Sequence, residues 1–147
     1  MPIEQILEKQ IQYRIKKSKD FVFMLPDFED LSDKDQIMRA LRKIIQKGLI
    51  LKVGQGVYVK AEKSPLSGNL LPQIDISEIG KIVAQKLKIK TIPSKYELWY
   101  NEGKTTQVPT GRVIAVLGRI NRQIGFNGKF IKYETVRSKE KYYGTYK

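Results

Sequence analysis

Apolar residues recur along this chain first at helical and then at strand spacing. Ile3, Ile6, Leu7, Ile11 and Ile15 predict an amphipathic helix over residues 3–17. The run Phe21-Val22-Phe23-Met24-Leu25, closed by Pro26, predicts a short strand. Phe28 and Leu31, three apart, predict one or two helical turns. Ser32-Asp33-Lys34-Asp35 sets a hydroxyl three residues before a carboxylate, the arrangement of a capped helix start with Ser32 as N-cap. Ile37, Leu41, Ile44 and Ile45 then make one stripe, and Gly48 stands where a left-handed residue ends a helix. The prediction is a helix of about four turns over residues 33–47. Leu49-Ile50-Leu51-Lys52-Val53 and Val57-Tyr58-Val59-Lys60, joined by Gly54-Gln55-Gly56, predict a hairpin.

The second half repeats the alternation with different punctuation. Asp75 and Glu78 bracket a helix start, and Ile76, Ile79, Val83 and Leu87 carry its stripe through Lys88. Lys90-Thr91-Ile92 reads as a strand ended by Pro93. Ser94 caps a helix containing Tyr96, Leu98, Trp99 and Tyr100, whose aromatic rings are expected in the core, with base stacking on Trp99 or Tyr100 the alternative. Val113-Ile114-Ala115-Val116-Leu117 reads as a central strand. Residues 119–126 and 129–133 flank Asn127-Gly128, a type I′ hairpin signal. The small, turn-forming stretch Ser64-Pro65-Leu66-Ser67-Gly68-Asn69 separates the two patterned regions. The expected fold class is therefore α+β. A helix-turn-helix with a wing occupies residues 1–63, and a small mixed α/β domain ending in a hairpin occupies residues 64–147.

Charge turns this architecture toward a function. The 147 residues carry 28 Lys and Arg against 15 Asp and Glu, a formal net charge of +13, with no Cys and no His. Zinc-finger ligands, an imidazole base, a thiolate nucleophile and disulfides are thereby excluded. The longest apolar runs are five residues, 21–25 and 113–117, and the first residues carry neither a basic n-region nor an apolar h-region. The expectation is a soluble cytoplasmic protein without a membrane partner. An excess of positive charge in such a protein points to a polyanion, with nucleic acid first. Residues 1–63 hold thirteen basic and nine acidic side chains, and residues 64–147 hold fifteen and six, so the second half is the more basic.

The order helix, strand, short helix, capped basic helix, hairpin is that of a winged helix-turn-helix, whose second motif helix enters the major groove while its hairpin follows the backbone. Opposite Leu41 the helix carries Gln36, Arg39, Lys43 and Gln46, flanked by Asp35, Arg42 and Lys47. Arg takes guanine bidentately and Gln takes adenine. Arg39 is the expected base reader, with Gln36, Arg42 and Lys43 beside it and Lys52, Gln55 and Lys60 on the wing. In the second half Arg119, Arg122, Lys129 and Lys132 are expected to form one basic patch on or beside the Asn127-Gly128 hairpin, continuous with the recognition face. The tail adds Arg137, Lys139, Lys141 and Lys147 with Tyr142, Tyr143 and Tyr146, and reads either as a solvated, disordered charge run or as extra phosphate contact.

The run Met38-Arg39-Ala40-Leu41-Arg42-Lys43-Ile44-Ile45-Gln46-Lys47-Gly48-Leu49-Ile50, with Gly54-Gln55-Gly56-Val57-Tyr58, resembles the winged helix of AbiEi-type antitoxins, of the abortive-infection, type IV toxin–antitoxin class. Two further motifs of those proteins follow in order, as Ser64-Pro65-Leu66-Ser67-Gly68 and Thr106-Gln107-Val108-Pro109, so the resemblance covers roughly residues 3–135. It implies a transcriptional repressor of its own operon, binding double-stranded operator DNA as monomer or dimer. It also implies a cognate nucleotidyltransferase-like toxin, whose effect the antitoxin antagonises. Such proteins usually continue into further C-terminal helices, whereas this sequence ends soon after Tyr133-Glu134-Thr135-Val136, which bears on antitoxicity more than on DNA binding.

Neither an enzyme nor a cofactor is expected. Gly103-Lys104-Thr105 lacks the first glycine of a phosphate-binding loop, and no Gly-x-Ser-x-Gly elbow occurs. The competing class is a protein–protein module that binds a toxin or another acidic partner. Salt dependence separates the two, since phosphate contacts weaken steeply with salt.

Overall fold

A computed structural model describes residues 3–144, and all counts below refer to these. The chain is a mixed α+β protein with five α-helices and two four-stranded sheets. It divides into two compact units, Met1–Asp75 and Ile76–Lys147. No helix among the described residues is long and apolar enough to cross a membrane.

In the first unit, α1 spans Ile3–Lys17 and β1 spans Val22–Met24. A single 3-10 turn follows at Leu25–Phe28, earlier than Phe28 and Leu31 suggested. The reason is local: Pro26 fits the first helical positions, and the Asp27 carboxylate accepts from Met24 N at 2.8 Å. Helix α2 spans Lys34–Gln46, β2 Ile50–Gly54 and β3 Val57–Lys63. All three strands pair antiparallel in the order β1-β3-β2. Leu7, Ile11 and Ile15 of α1 meet Ile37, Leu41 and Ile44 of α2 over Phe23, Phe28, Ile50 and Tyr58.

The expected boundary at residues 64–69 is displaced. Those residues are the turn of a second hairpin, because β4, Leu70–Pro72, pairs with the far end of β3. Ser64 N donates to Asn69 O at 2.8 Å, and Gly68 N donates to Ser64 O at 2.9 Å. Turn-forming residues mark a chain reversal equally well whether a linker or a strand follows, and here a strand follows.

In the second unit, α3 spans Ile76–Lys86, β5 Lys90–Ile92, α4 Lys95–Asn101, β6 Val113–Leu117, β7 Ile124–Phe126, β8 Lys129–Thr135 and α5 Lys139–Gly144. The sheet order is β5-β6-β8-β7, with β6 and β8 parallel and the other pairs antiparallel. Asn127 (φ 55°) and Gly128 (φ 82°) both adopt the left-handed conformation of a type I′ turn. One sheet face packs Ile114 and Ile131 under Gly80 of α3, and Tyr133 Oη donates to Gly80 O at 2.5 Å. On the other face Ile92, Ala115 and Val136 gather Tyr142 and Tyr143 of α5.

Two expectations fail here. The tail is not a plain charge run, since residues 139–144 form α5. Tyr142 Oη accepts from Lys95 N at 3.1 Å and Tyr143 Oη donates to Pro93 O at 2.7 Å, so the two tyrosines dock what the charges alone would leave solvated. Burial pushes the Tyr142 phenol up to about 12. Tyr146 and Lys147 lie outside the described residues. Helix α4 buries none of its residues, so Tyr96, Trp99 and Tyr100 are not core. Ser94 caps this helix as expected, accepting from Glu97 N at 3.1 Å, but the cap orients α4 without covering it.

Candidate nucleic-acid interface

Helix α2 is held at both ends by its own sequence. Asp33, extended at φ −74° and ψ 165°, accepts from Gln36 N at 2.9 Å, so the N-cap is Asp33 and not Ser32. Gly48 at φ 78° ends the helix, its N donating to Ile45 O at 2.9 Å. A cap at each end fixes the helix's length and hence which residues lie on each side.

The buried side consists of Ile37, Ala40, Leu41 and Ile44, while Ile45 is only half-buried. Ala40 enters because α1 packs against that flank. The outward direction consequently turns by about 50°, half of one residue's rotation, relative to the face opposite Leu41. Its centre holds Asp35, Arg39, Arg42 and Gln46, all exposed. Gln36 is half-buried and Lys43 has moved to the α1 edge.

That edge is ionic. Lys43 Nζ lies 3.7 Å from Glu4 Oε2, and the Lys47 ammonium closes on the Glu8 carboxylate. Glu8 is buried at 7% exposure and its Oε1 makes no directional hydrogen bond, so Lys47 is its counter-charge. The equal four-residue spacing of the two acids and the two lysines is the signal that would have revealed this ladder in the sequence. Lys43 remains exposed and its pairing with Glu4 is solvated, so it stands at the edge of the outward face rather than at its centre.

On the β2-β3 hairpin, Lys52 is exposed in β2 and Gln55 sits at the tip beside Gly56 (φ 70°). Lys60 departs from expectation. Its Nζ donates to Ser18 O at 2.7 Å and lies 5.6 Å from the Phe21 ring centroid, so it ties β3 to the segment after α1. The structure adds one relation that periodicity does not contain. Lys52 is the cross-strand partner of Tyr58, and Arg42 is close enough for its charge to oppose the upward shift that burial gives the Tyr58 phenol. Arg42 of the helix and Lys52 of the hairpin are thus both neighbours of the buried Tyr58, with Arg39 one turn before Arg42 on the helix.

The basic residues of the second unit do not assemble as expected. Lys129 and Lys132 are three apart on β8, and side chains alternate faces along a strand. Lys129 shares the face of Ile131, toward α3, while Lys132 shares the face of Phe130. Arg119 and Arg122 lie beside the hairpin, in the connection before β7, with Arg119 Nε donating to Asn121 Oδ1 at 3.2 Å. Strand parity therefore sets Lys129 and Lys132 on opposite faces of the sheet.

Compared with known protein families, residues 7–142 match the model of a family of unknown function, DUF6088. No curated protein matches the chain.

Proposed function

The chain belongs to the DUF6088 family, and from the surface just described we propose that it is a winged helix-turn-helix DNA-binding regulator. The observation that carries this reading is that Arg39 and Arg42 on α2 and Lys52 on the hairpin are all exposed, and that Arg42 and Lys52 both neighbour Tyr58. The order α1, β1, 3-10 turn, α2, β2-β3 hairpin agrees with that motif. In this reading Arg39 offers its guanidinium fork to guanine, Gln46 offers its amide to adenine, and Arg42, Lys52 and Gln55 hold phosphates. Gln36 and Lys60 have no part in base reading, for the reasons given above, and Lys43 stands at the edge of the outward face. The resemblance to AbiEi-type antitoxins adds the nature of the site: the operator of the protein's own operon. It also supplies a nucleotidyltransferase-like toxin as the protein partner. The role proposed is binding, with no catalytic step.

Fluorescence anisotropy with a duplex from the gene's own upstream region, against a scrambled duplex, tests the proposal. Arg39→Ala should cost about 1–3 kcal/mol on the upstream duplex and much less on the scrambled one. Lys52→Ala should weaken both alike. Equal losses on both duplexes for Arg39→Ala would remove its role as a reader. Absence of salt-dependent binding to either duplex would refute DNA binding and leave an acidic protein as the partner of this surface.

A further inference from the structure

Helix α4 buries none of its residues completely: Tyr96 and Tyr100 are exposed, and Trp99 is half-buried with its indole nitrogen covered. The Tyr96 and Trp99 rings meet edge to face, 5.6 Å between centroids at 73°. With Glu97 they form one wall of a cleft of about 430 Å³, and Gln107, Pro109 and Val113 contribute to the other. That volume lies within the range of small-molecule sites. The cleft is not closed by its own loop, because Val108 at its mouth is 71% exposed. The lining is aromatic and aliphatic, with one carboxylate, one amide and a few hydroxyls, and none of its described residues is Lys or Arg. A cation stands just outside. Val113 begins β6, and its register partner on β8 is Lys132, exposed on the same face about 4.8 Å across the sheet.

We infer that this cleft binds a nucleobase bearing an exocyclic amine, with the attached phosphate on Lys132. Two rings at right angles offer a base one face to stack on and one edge to abut. The Glu97 carboxylate is acceptor-only when ionised, so it takes an amino group and repels the carbonyl that uracil or thymine presents at the corresponding position. Exclusion of cations from the lining and a lysine at the rim suit a neutral base joined to an anionic phosphate. Adenine and cytosine fit this chemistry, either as a free nucleotide or as an unstacked base of a single strand. The site lies wholly within the second unit and stands apart from duplex recognition by α2.

Trp99 is the chain's one tryptophan, so fluorescence excited beyond the absorption of the eight tyrosines reports the surroundings of this cleft. The titrants are adenosine, AMP, CMP, UMP and a short single-stranded oligodeoxyadenylate. Saturable quenching by AMP, about tenfold tighter than by UMP, is expected. Glu97→Gln, with unchanged circular dichroism, should remove that preference while leaving duplex binding as it was. Lys132→Gln should weaken AMP several-fold and leave adenosine unchanged. Quenching by the oligonucleotide but not by AMP would assign the site to a single strand, and the reverse would assign it to a free nucleotide. No saturable quenching by any titrant, or equal affinity for AMP and UMP, would overturn the inference.

Discussion

A single missing methyl group decides how α3 meets its sheet. A Cβ built on Gly80 would lie 2.6 Å from Ile114 Cδ1 and 3.1 Å from two carbons of Ile131. Alanine gains about 1 kcal/mol over glycine in a helix interior. Overpacking a filled core costs about 1–3 kcal/mol. Ile131 is β-branched and buried, so it has little freedom to give way, and Tyr133 Oη already anchors the helix at Gly80 O. The second effect wins: Gly80→Ala should lower stability by about 1–2 kcal/mol in chemical denaturation despite its better helix propensity. Unchanged stability in Gly80→Ala would show that α3 shifts freely on the sheet. Lys88, at φ 61°, is the converse case, a side-chain-bearing residue where glycine is usual after a helix, and it is the reason α3 stops at Lys86 instead of continuing through Lys88.

Between elements, fixed contacts set the orientation of α1 and thereby the outward face of α2. Arg14 donates from its two terminal nitrogens to Asp30 Oδ1 and Oδ2 at 2.6 and 2.8 Å, and also to Asp27 O at 2.9 Å, clasping α1 to the segment after the 3-10 turn. The hydrogen bonds from Arg14 hold the Asp30 carboxyl below its ordinary value of 3.8. A carboxylate whose folded pKa is depressed stabilises the fold above its unfolded pKa, and that contribution disappears as pH falls through the folded value. Asp30→Asn should therefore lower the melting temperature at neutral pH, and the gap to the unaltered protein should close as pH falls below the ordinary carboxylate range. A gap of constant size across that range would show that Asp30 acts through packing or local backbone structure, not through its charge. Asp30 is exposed, so the effect at neutral pH is expected to be small.

At the scale of the whole molecule, charge and recognition are unevenly shared. The first unit carries the proposed reading surface, yet the second holds fifteen basic and five acidic residues against thirteen and ten in the first. If Arg42 and Lys52 each neutralise one phosphate, replacing both with Gln should make the slope of log affinity against log salt shallower by about two units. An unchanged slope would move the phosphate contacts to other cations, with the second unit the first place to look.

Local rules made much of this molecule legible in its sequence. The extents of α1, β5 and β6, the end of α2 at Gly48, the cap at Ser94 and the turn at Asn127-Gly128 follow from hydrophobic spacing and from residues whose effect reaches only a few positions along the chain. The α+β class follows from the same pattern. Four features depended on contacts between distant segments: the rotation of α2's outer face by the burial of Ala40, the ionic ladder that engages Lys43 and Lys47, the docking of α5 through Tyr142 and Tyr143, and the exclusion of the α4 aromatics from the core. A helical stripe tells which residues are apolar, but an alanine or a tyrosine is buried only when a neighbouring element covers it. Which cations face outward, and which aromatics wall a cleft, were therefore settled by packing between elements rather than by periodicity within them.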